Sequence, residues 1–217
     1  MRNENIDKFK DSPLGRIPEE WEVVRLGDVT KLRNQKSLPP DEGKYIGLEN
    51  IEKESGRLIG YISCEEIKGI CNIFKKGDIL FGKLRPNLRK YWFAQTEGYC
   101  STEILVIISE NSKILIQEFL YLIIRSNSFL KFAESKMFGT KMPRTSWHIL
   151  KEYYFPLPPL PEQQRIASIL SQIDEVIEKE QAYKEKLERI KKGLMEDLLA
   201  GKVRVNHLIE EENKDGN

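Results

Sequence analysis

The chain has 217 residues, of which 40% are apolar and 32% are charged, and its formal net charge is +1. That length allows one sizeable core plus an extension, or two small domains. The chain has no run of about eighteen apolar residues, and its N-terminal stretch MRNENIDKFKDS is polar. We therefore expect no membrane span, no secretory signal peptide and a cytoplasmic protein.

In chain order, the first predicted elements are short strands. The segment WEVVRLGDV, which begins at Trp21, alternates between apolar and polar residues and predicts a strand followed by a turn. KYIGLENI and LIGYIS predict further strands. GDILFGKLRPNLRKYWFA and CSTEILVII then predict strands around a basic loop.

Two helices and a loop complete the predicted globular domain. The apolar run 114–124 is too long for a typical strand and contains no glycine or proline, so it predicts a buried helix. A second short helix is expected over 128–137. Gly139 and Pro143 interrupt FGTKMPRTSW, which favours a loop. We expect a mixed α+β domain over residues 1–157.

A proline-rich segment follows this domain and leads into a long helix. Its prolines are Pro156, Pro158, Pro159 and Pro161. They fix φ and lack backbone donors, so we expect an extended, semi-rigid hinge. Pro161 suits the first turn of a helix, and Glu162 favours its positive N-terminal end. We predict a helix over Glu162–Leu199, about 57 Å long at ~1.5 Å per residue, within a hinge-and-helix region at 158–200. A tail at 201–217 begins where Gly201 ends the helix.

One apolar stripe runs along this predicted helix. Its residues recur at steps of three and four, as in the heptads of a coiled coil. They are Ile166, Ile169, Ile173, Val176, Tyr183, Leu187, Ile190, Leu194 and Leu198. Glu180 interrupts the stripe and is expected to help set the register. We expect the stripe to be a dimer or subunit interface, made with a second copy of the chain, and the alternative is that the helix folds back on its own domain.

Cysteine and histidine usage indicates neither a disulfide framework nor a metal site. Cys64, Cys71 and Cys100 are odd in number and contain no C-x-x-C pair. With His148 and His207 as the sole histidines, a zinc site is not expected. We expect free thiols in a reducing compartment.

Basic residues concentrate in two islands. Six lie between residues 75 and 91 against one acid, Asp78, and six lie between residues 125 and 151 against one acid, Glu134. A nearly neutral chain with two basic islands indicates a local anionic partner. The alternative is that these charges only solvate the surface.

The candidate ligand contacts lie on two loops within the islands. Arginine can read guanine bidentately, asparagine can read adenine and lysine suits phosphate. The predicted contacts to double-stranded DNA are Lys83, Arg85, Asn87, Arg89, Lys90, Lys141, Arg144, Thr145 and Ser146. Arg85, Asn87 and Arg144 are expected to include the base readers, and the three lysines are expected to hold phosphates.

Patterns that would indicate catalysis are scarce. The sequence contains no G-x-S-x-G element and no glycine-rich phosphate loop. A short pattern, Pro40-Asp41 followed by Glu66-x-Lys68, has the order of a metal-dependent nuclease core. A nuclease and a coiled-coil scaffold without DNA affinity therefore stay open as alternatives. We expect no catalytic residue, metal or cofactor in this chain.

Three segments carry a family resemblance. GRIPEEWEVVRLGDV, GDILFGKLRPNLRKYWFA with GYCSTEILVI, and PLPPLPEQQRIASILSQIDEVIE with LLAGKVRV resemble the specificity subunits of type I restriction-modification systems, over roughly Gly15 to Val205. In that family a target-recognition domain reads one half of a split DNA site. A long helix serves there as a spacer and as a dock for methyltransferase subunits.

The resemblance implies a non-catalytic DNA-specificity subunit. Its partners would be DNA, methyltransferase subunits and, where the system cleaves DNA, restriction subunits. S-adenosylmethionine, ATP and Mg²⁺ are expected on those partner subunits. Typical members hold two recognition domains and two helices, whereas this chain holds one of each. It resembles a half-length form, and two copies would rebuild the full arrangement with two-fold symmetry.

Overall fold

A computed structural model describes residues 8–206 of the chain. Residues 1–7 and 207–217, which include His207 and most of the predicted tail, lie outside the described residues. The chain divides into two compact units, Met1–Ala167 and Ser168–Asn217. We call them the globular unit and the helical unit.

The globular unit contains strands and short helices, and one long helix begins in it and continues into the helical unit. The strands are β1 (Phe9–Ser12), β2 (Gly15–Pro18), β3 (Glu22–Arg25), β4 (Thr30–Leu32), β5 (Lys36–Ser37), β6 (Lys44–Ile46), β7 (Ile62–Ser63), β8 (Cys71–Phe74), β9 (Ile79–Gly82), β10 (Tyr91–Phe93), β11 (Gly98–Cys100), β12 (Ile104–Ser109) and β13 (Tyr154–Leu157). The α-helices are α1 (Leu26–Val29), α2 (Gln117–Arg125), α3 (Asn127–Ser135), α4 (Trp147–Leu150) and α5 (Leu160–Leu199), and 3-10 turns occur at Leu48–Asn50, Cys64–Glu66 and Pro86–Leu88.

Two sheets organise the globular unit. One has four strands in the order β10-β9-β12-β4, and all its pairs are antiparallel. The other has five strands in the order β5-β8-β11-β6-β7, with β11 and β6 parallel. Two-stranded pairs, β1-β2 and β13-β3, complete the described strands. The prediction of a mixed α+β fold followed by a long helix is confirmed.

Helices α2 and α3 pack on the four-stranded sheet and close the main core. Phe81 of β9 meets Phe129 of α3 edge to face, with ring centroids 5.5 Å apart. Both helices were predicted, and their ends differ by a few residues. α2 begins at Gln117 because the backbone of its N-cap residue, Ile116, is extended, with a ψ of 149°. The Ser126 side chain caps α3 by accepting from the Phe129 N–H.

The proline-rich segment is partly a strand, which the sequence did not predict. β13 pairs antiparallel with β3, and Pro156 lies opposite Val23. Among the described strands, β13 pairs with a strand on one side only. Pro156 is tolerated because no strand on the other side of β13 needs the backbone N–H that proline lacks. The globular unit extends past residue 157 to Ala167 and includes the first two turns of α5.

The three cysteines, Cys64, Cys71 and Cys100, are free, as predicted, and all three are buried. Burial raises the pKa of the Cys100 thiol.

Among the described residues, no helix is long and apolar enough to span a membrane.

Candidate nucleic-acid interface

The first basic loop joins β9 to β10 across an antiparallel pair. Phe81 lies opposite Tyr91, so the two ends of the loop are held side by side. Gly82 begins the turn, where a Cβ would come within 2.8 Å of the Leu48 side chain. The loop then forms a 3-10 turn at Pro86–Leu88.

Two arginines in the left-handed backbone region flank that turn. Arg85 has a φ of 51° and Arg89 a φ of 49°, which is uncommon for residues other than glycine. Short hydrogen bonds hold both: the Arg85 N–H donates to the Pro143 carbonyl at 2.6 Å, and the Arg89 N–H donates to the Pro86 carbonyl at 2.9 Å. Such local strain persists only where the surrounding structure fixes it, and it is found most often at functional sites.

The second basic loop is closed by its own pair of backbone bonds. Phe138 N–H donates to the Arg144 carbonyl at 2.9 Å, and Arg144 N–H donates to the Phe138 carbonyl at 2.8 Å. Gly139, with a φ of 92°, adopts a conformation that favours glycine and lets the chain reverse. The predicted loop is therefore a short, closed hairpin.

Backbone bonds join the two loops into one surface, although about fifty residues separate them in the sequence. Leu84 and Arg144 form an antiparallel bridge, and the Thr145 N–H donates to the Lys83 carbonyl at 2.9 Å. The Arg85–Pro143 bond adds a third link. We call residues 83–90 together with 138–146 the composite loop surface.

The composite loop surface exposes part of the predicted set. Arg85, Asn87 and Lys141 are exposed, and Lys83 and Ser146 are partly buried. Among described residues, none of the side chains of Arg85, Asn87 and Lys141 has an internal hydrogen bond or ion pair. These three are available to a ligand without breaking any contact inside the protein.

Two predicted arginines are ion-paired within the chain. Arg89 Nε lies 2.6 Å from Glu134 Oε1, and this carboxylate raises the pKa of the guanidinium. Arg144 Nε lies 3.1 Å from Glu103 Oε2, and Arg144 Nη1 donates to the Met142 carbonyl at 3.3 Å. The guanidinium groups of both arginines therefore already make contacts inside the protein. Arg89 positions the loop. Base reading by Arg144 stays a prediction, and it requires Arg144 to break its ion pair with Glu103.

Lys90 and Thr145 are also engaged or covered. Lys90 Nζ donates to the Leu48 carbonyl at 2.5 Å. Burial lowers the pKa of Lys90, and the nearby charge of Lys53 lowers it further. Thr145 is only 2% exposed, and its buried hydroxyl has no hydrogen-bond partner among the described residues. The structure therefore does not support a DNA contact by Thr145, because its side chain is buried.

The geometry gives no support to the nuclease alternative. Within residues 8–206, no group of three or more His, Cys, Asp or Glu side chains is arranged to hold a metal ion. Asp41 is exposed on a turn, and Glu66 ends the 3-10 turn Cys64–Glu66.

The start of α5 holds a residue that the sequence reasoning missed. Gln163 is fully buried, and its amide donates to the carbonyls of Ile114 and Pro158, each at 2.8 Å. Its Oε1 accepts from the Ile116 N–H at 3.0 Å. At the preceding residue, Trp21 Nε1 donates to Glu162 Oε2 at 2.8 Å. A buried glutamine with three backbone partners anchors the helix start to the core, and the EQQ motif alone gave no sign of which glutamine is buried.

The predicted apolar stripe divides at this anchor. Ile166 packs against the main core of the globular unit, so its contacts are made within the chain. The other eight stripe residues are exposed, from 41% at Leu198 to 58% at Tyr183. In the helical unit, the stripe has no partner among described residues.

These features define the class of the protein: an α+β binding module with a preformed cationic surface and a helix with an exposed apolar stripe. Comparison with known proteins agrees. The chain is 29% identical to the MjaVIII specificity subunit of a type I restriction enzyme from Methanocaldococcus jannaschii, over 92% of this chain and 50% of that protein. It is 30% identical to the EcoDI specificity subunit from Escherichia coli, over 78% of this chain and 38% of that protein.

A solved structure shares the fold. The HsdS subunit from Thermoanaerobacter tengcongensis aligns with a TM-score of 0.62 and 24% identity, over 86% of this chain and 50% of that one. The model of the family described as type I restriction modification DNA specificity domain matches residues 18–189. The chain belongs to this family, as its sequence motifs indicated. It spans about half the length of the MjaVIII relative.

Proposed function

We propose that this chain is the DNA sequence-specificity component of a type I restriction-modification system, and that its globular unit reads one half of a bipartite DNA site. The composite loop surface is the observation that carries the proposal. It exposes Arg85, Asn87 and Lys141 on a strained and hydrogen-bonded backbone. Arginine and asparagine can pair with base edges, and lysine can pair with phosphate, which are the two tasks of DNA recognition.

A preformed loop favours recognition because the loop does not have to become ordered when DNA binds. The backbone links through Pro143 and Lys83 hold both loops in one arrangement before DNA arrives. The Arg89–Glu134 ion pair also stabilises the first loop, directly after its 3-10 turn at Pro86–Leu88. Binding energy is then not consumed in ordering the loop, so it remains available for discrimination between sequences.

The proposal assigns no catalytic step to this chain. Methyl transfer from S-adenosylmethionine, and any DNA cleavage driven by ATP with Mg²⁺, belong to the methyltransferase and restriction subunits of the assembly. The sequence supports this division, because it lacks an N/D-P-P-Y/F methyltransferase motif and a glycine-rich phosphate loop. A DNA target also places the protein in the cytoplasm.

The helical unit is proposed to associate with a second copy of the chain and with methyltransferase subunits. Eight exposed apolar side chains on one helix face support this, because a stripe of that length is stable in water only when it is covered. If two identical copies pair, a two-fold axis relates their globular units. The DNA site is then two identical, inverted half-sites separated by a spacer.

The test is the binding of the full chain, with methyltransferase subunits present, to a site found by genomic methylation mapping. Cognate and scrambled duplexes are compared at several salt concentrations. Arg85→Ala should cost roughly 1–3 kcal/mol on the cognate duplex and little on the scrambled one. Lys76→Ala is the matched control, because Lys76 is an exposed cation before β9, at the opposite end of that strand from the loop.

One outcome would exclude Arg85 from base reading, and another would overturn the whole proposal. Equal losses on both duplexes for Arg85→Ala would remove that residue from base reading. If the wild-type assembly shows no preference for any mapped site over scrambled DNA, the chain does not supply specificity and the proposal is wrong.

A further inference from the structure

The tip of the second loop carries exposed apolar side chains. Phe138 is 57% exposed and Met142 is 48% exposed. Neither belongs to the two buried clusters of the globular unit. Single exposed apolar residues are ordinary on protein surfaces, but here two of them stand on one short hairpin, residues 138–144, that is closed by backbone bonds between Phe138 and Arg144.

The fold holds this tip against the first loop. Phe138 is bonded to Arg144 in both directions, and Pro143 accepts from the Arg85 N–H at 2.6 Å. Met142 precedes Pro143 directly, and its own carbonyl accepts from Arg144. The apolar tip therefore belongs to the same hydrogen-bonded junction as the candidate base reader Arg85.

The surroundings of the tip are cationic. Residues 135–146 include Lys136, Lys141 and Arg144 and contain no acid. Glu134, which precedes this segment, is paired with Arg89, and Glu103 is paired with Arg144. An occupant of this surface must present negative charge around an apolar contact. A DNA groove does so, with phosphates along its edges and thymine methyl groups and base faces between them.

We propose that Phe138 and Met142 are apolar base contacts that enter a groove of the recognised DNA beside Arg85 and Asn87, meeting thymine methyl groups and base faces. This inference rests on the proposed function and names a second kind of specificity contact within the same site. Polar readers distinguish bases by hydrogen bonds, whereas apolar tips distinguish them by methyl contact and by the ease of opening a base step.

The test compares Phe138→Ala and Met142→Ala with Ile114→Ala in the full chain bound to methyltransferase subunits. Ile114 is a matched control, because it is 48% exposed and follows β12 at the end of the sheet opposite to Gly82. Affinities for cognate and scrambled duplexes are measured across a salt series. Phe138→Ala should weaken cognate binding by about tenfold or more, and Met142→Ala by about fourfold or more.

The salt series separates this role from a phosphate contact. An apolar contact releases no counterion, so both variants should keep the wild-type salt slope and lose affinity on the cognate duplex only. Replacing thymine by uracil in the cognate site removes a methyl group and should weaken wild-type binding at one or more positions. In a tip variant, the same replacement at that position should no longer change the affinity.

The outcomes separate this inference from the proposed function. If Arg85→Ala loses cognate affinity while both tip variants bind like Ile114→Ala, the apolar contact is wrong and the proposed function stands. Tip variants that keep DNA affinity but lose methyltransferase association would show that a protein covers the tip, which also overturns the inference. If the wild type itself does not discriminate between duplexes, the proposed function fails first.

Discussion

In both the composite loop surface and the long helix, only some of the predicted contact residues are exposed. In α5 the division is abrupt: Ile166 packs on the globular core, whereas Ile169 and the later stripe residues are exposed. In the loops the division alternates along the chain, since Arg85 is exposed and Arg89 is paired with Glu134. A periodic element can thus be divided at one point, but an irregular loop has to be assigned residue by residue.

This difference separates two kinds of effect. Residues committed to the fold should change stability when replaced, and exposed residues should change association or binding. Replacing one residue of each kind within a single region should therefore separate stability from binding.

The largest effect is expected in the exposed stripe. Ile173→Glu with Leu187→Glu would place two unpaired charges from each copy in the proposed interface, which costs several kcal/mol on the order found for buried uncompensated charges. Sedimentation should then show monomers where the wild type is a dimer. Ser171→Glu with Ala182→Glu adds the same charge on the opposite helix face and should leave the dimer intact. A wild type that is monomeric at tens of micromolar, also with methyltransferase present, would contradict the two-copy arrangement.

The anchored start of α5 should respond in stability. Gln163→Leu removes the partners of the Ile116 N–H and of the Ile114 and Pro158 carbonyls. Leaving such buried groups unpaired should lower the free energy of unfolding of the globular unit by about 3 kcal/mol. Urea denaturation measures this loss. Gln164→Leu is the control, because Gln164 is exposed one residue away and should change the midpoint little; equal midpoints for the two variants would contradict the anchor.

A smaller stability effect is expected from the paired arginine of the first loop. Arg89→Ala leaves the Glu134 carboxylate without its partner at 2.6 Å, so the urea midpoint should fall. Arg85→Ala should leave the midpoint unchanged while it weakens cognate DNA binding. Denaturation of the two variants side by side checks the assignment. The opposite pattern, with Arg85 stabilising the fold and Arg89 dispensable for it, would reverse the division within the loop.

The smallest effect concerns a single phosphate contact. Lys141 is exposed on the tip of the second loop, and Lys141→Ala should weaken binding to cognate and scrambled DNA alike. The slope of log affinity against log salt should fall by about one unit. Lys76→Ala should keep the wild-type slope. A change confined to the cognate duplex would make Lys141 a base reader.

Much of the architecture could be read from local pattern. The three- and four-residue recurrence over Ile166–Leu198 predicts α5, because side chains at those steps share one face of a helix whatever surrounds it. The short apolar runs in GDILFG and YWFA likewise predict β9 and β10, and the basic loop follows as their connection. The family resemblance depends on the same local motifs.

The pairing of distant segments was decided only by the tertiary structure. No local pattern shows that β13 pairs with β3, that Gln163 rather than Gln164 is buried, or that Arg144 meets Glu103. Each depends on which segments the closed core brings within hydrogen-bond distance, and backbone groups in irregular loops take whichever partner lies there. Local sequence patterns therefore determined an α+β domain with two basic islands and a long apolar-striped helix. Long-range packing decided which cations, and which part of that stripe, remain free to bind.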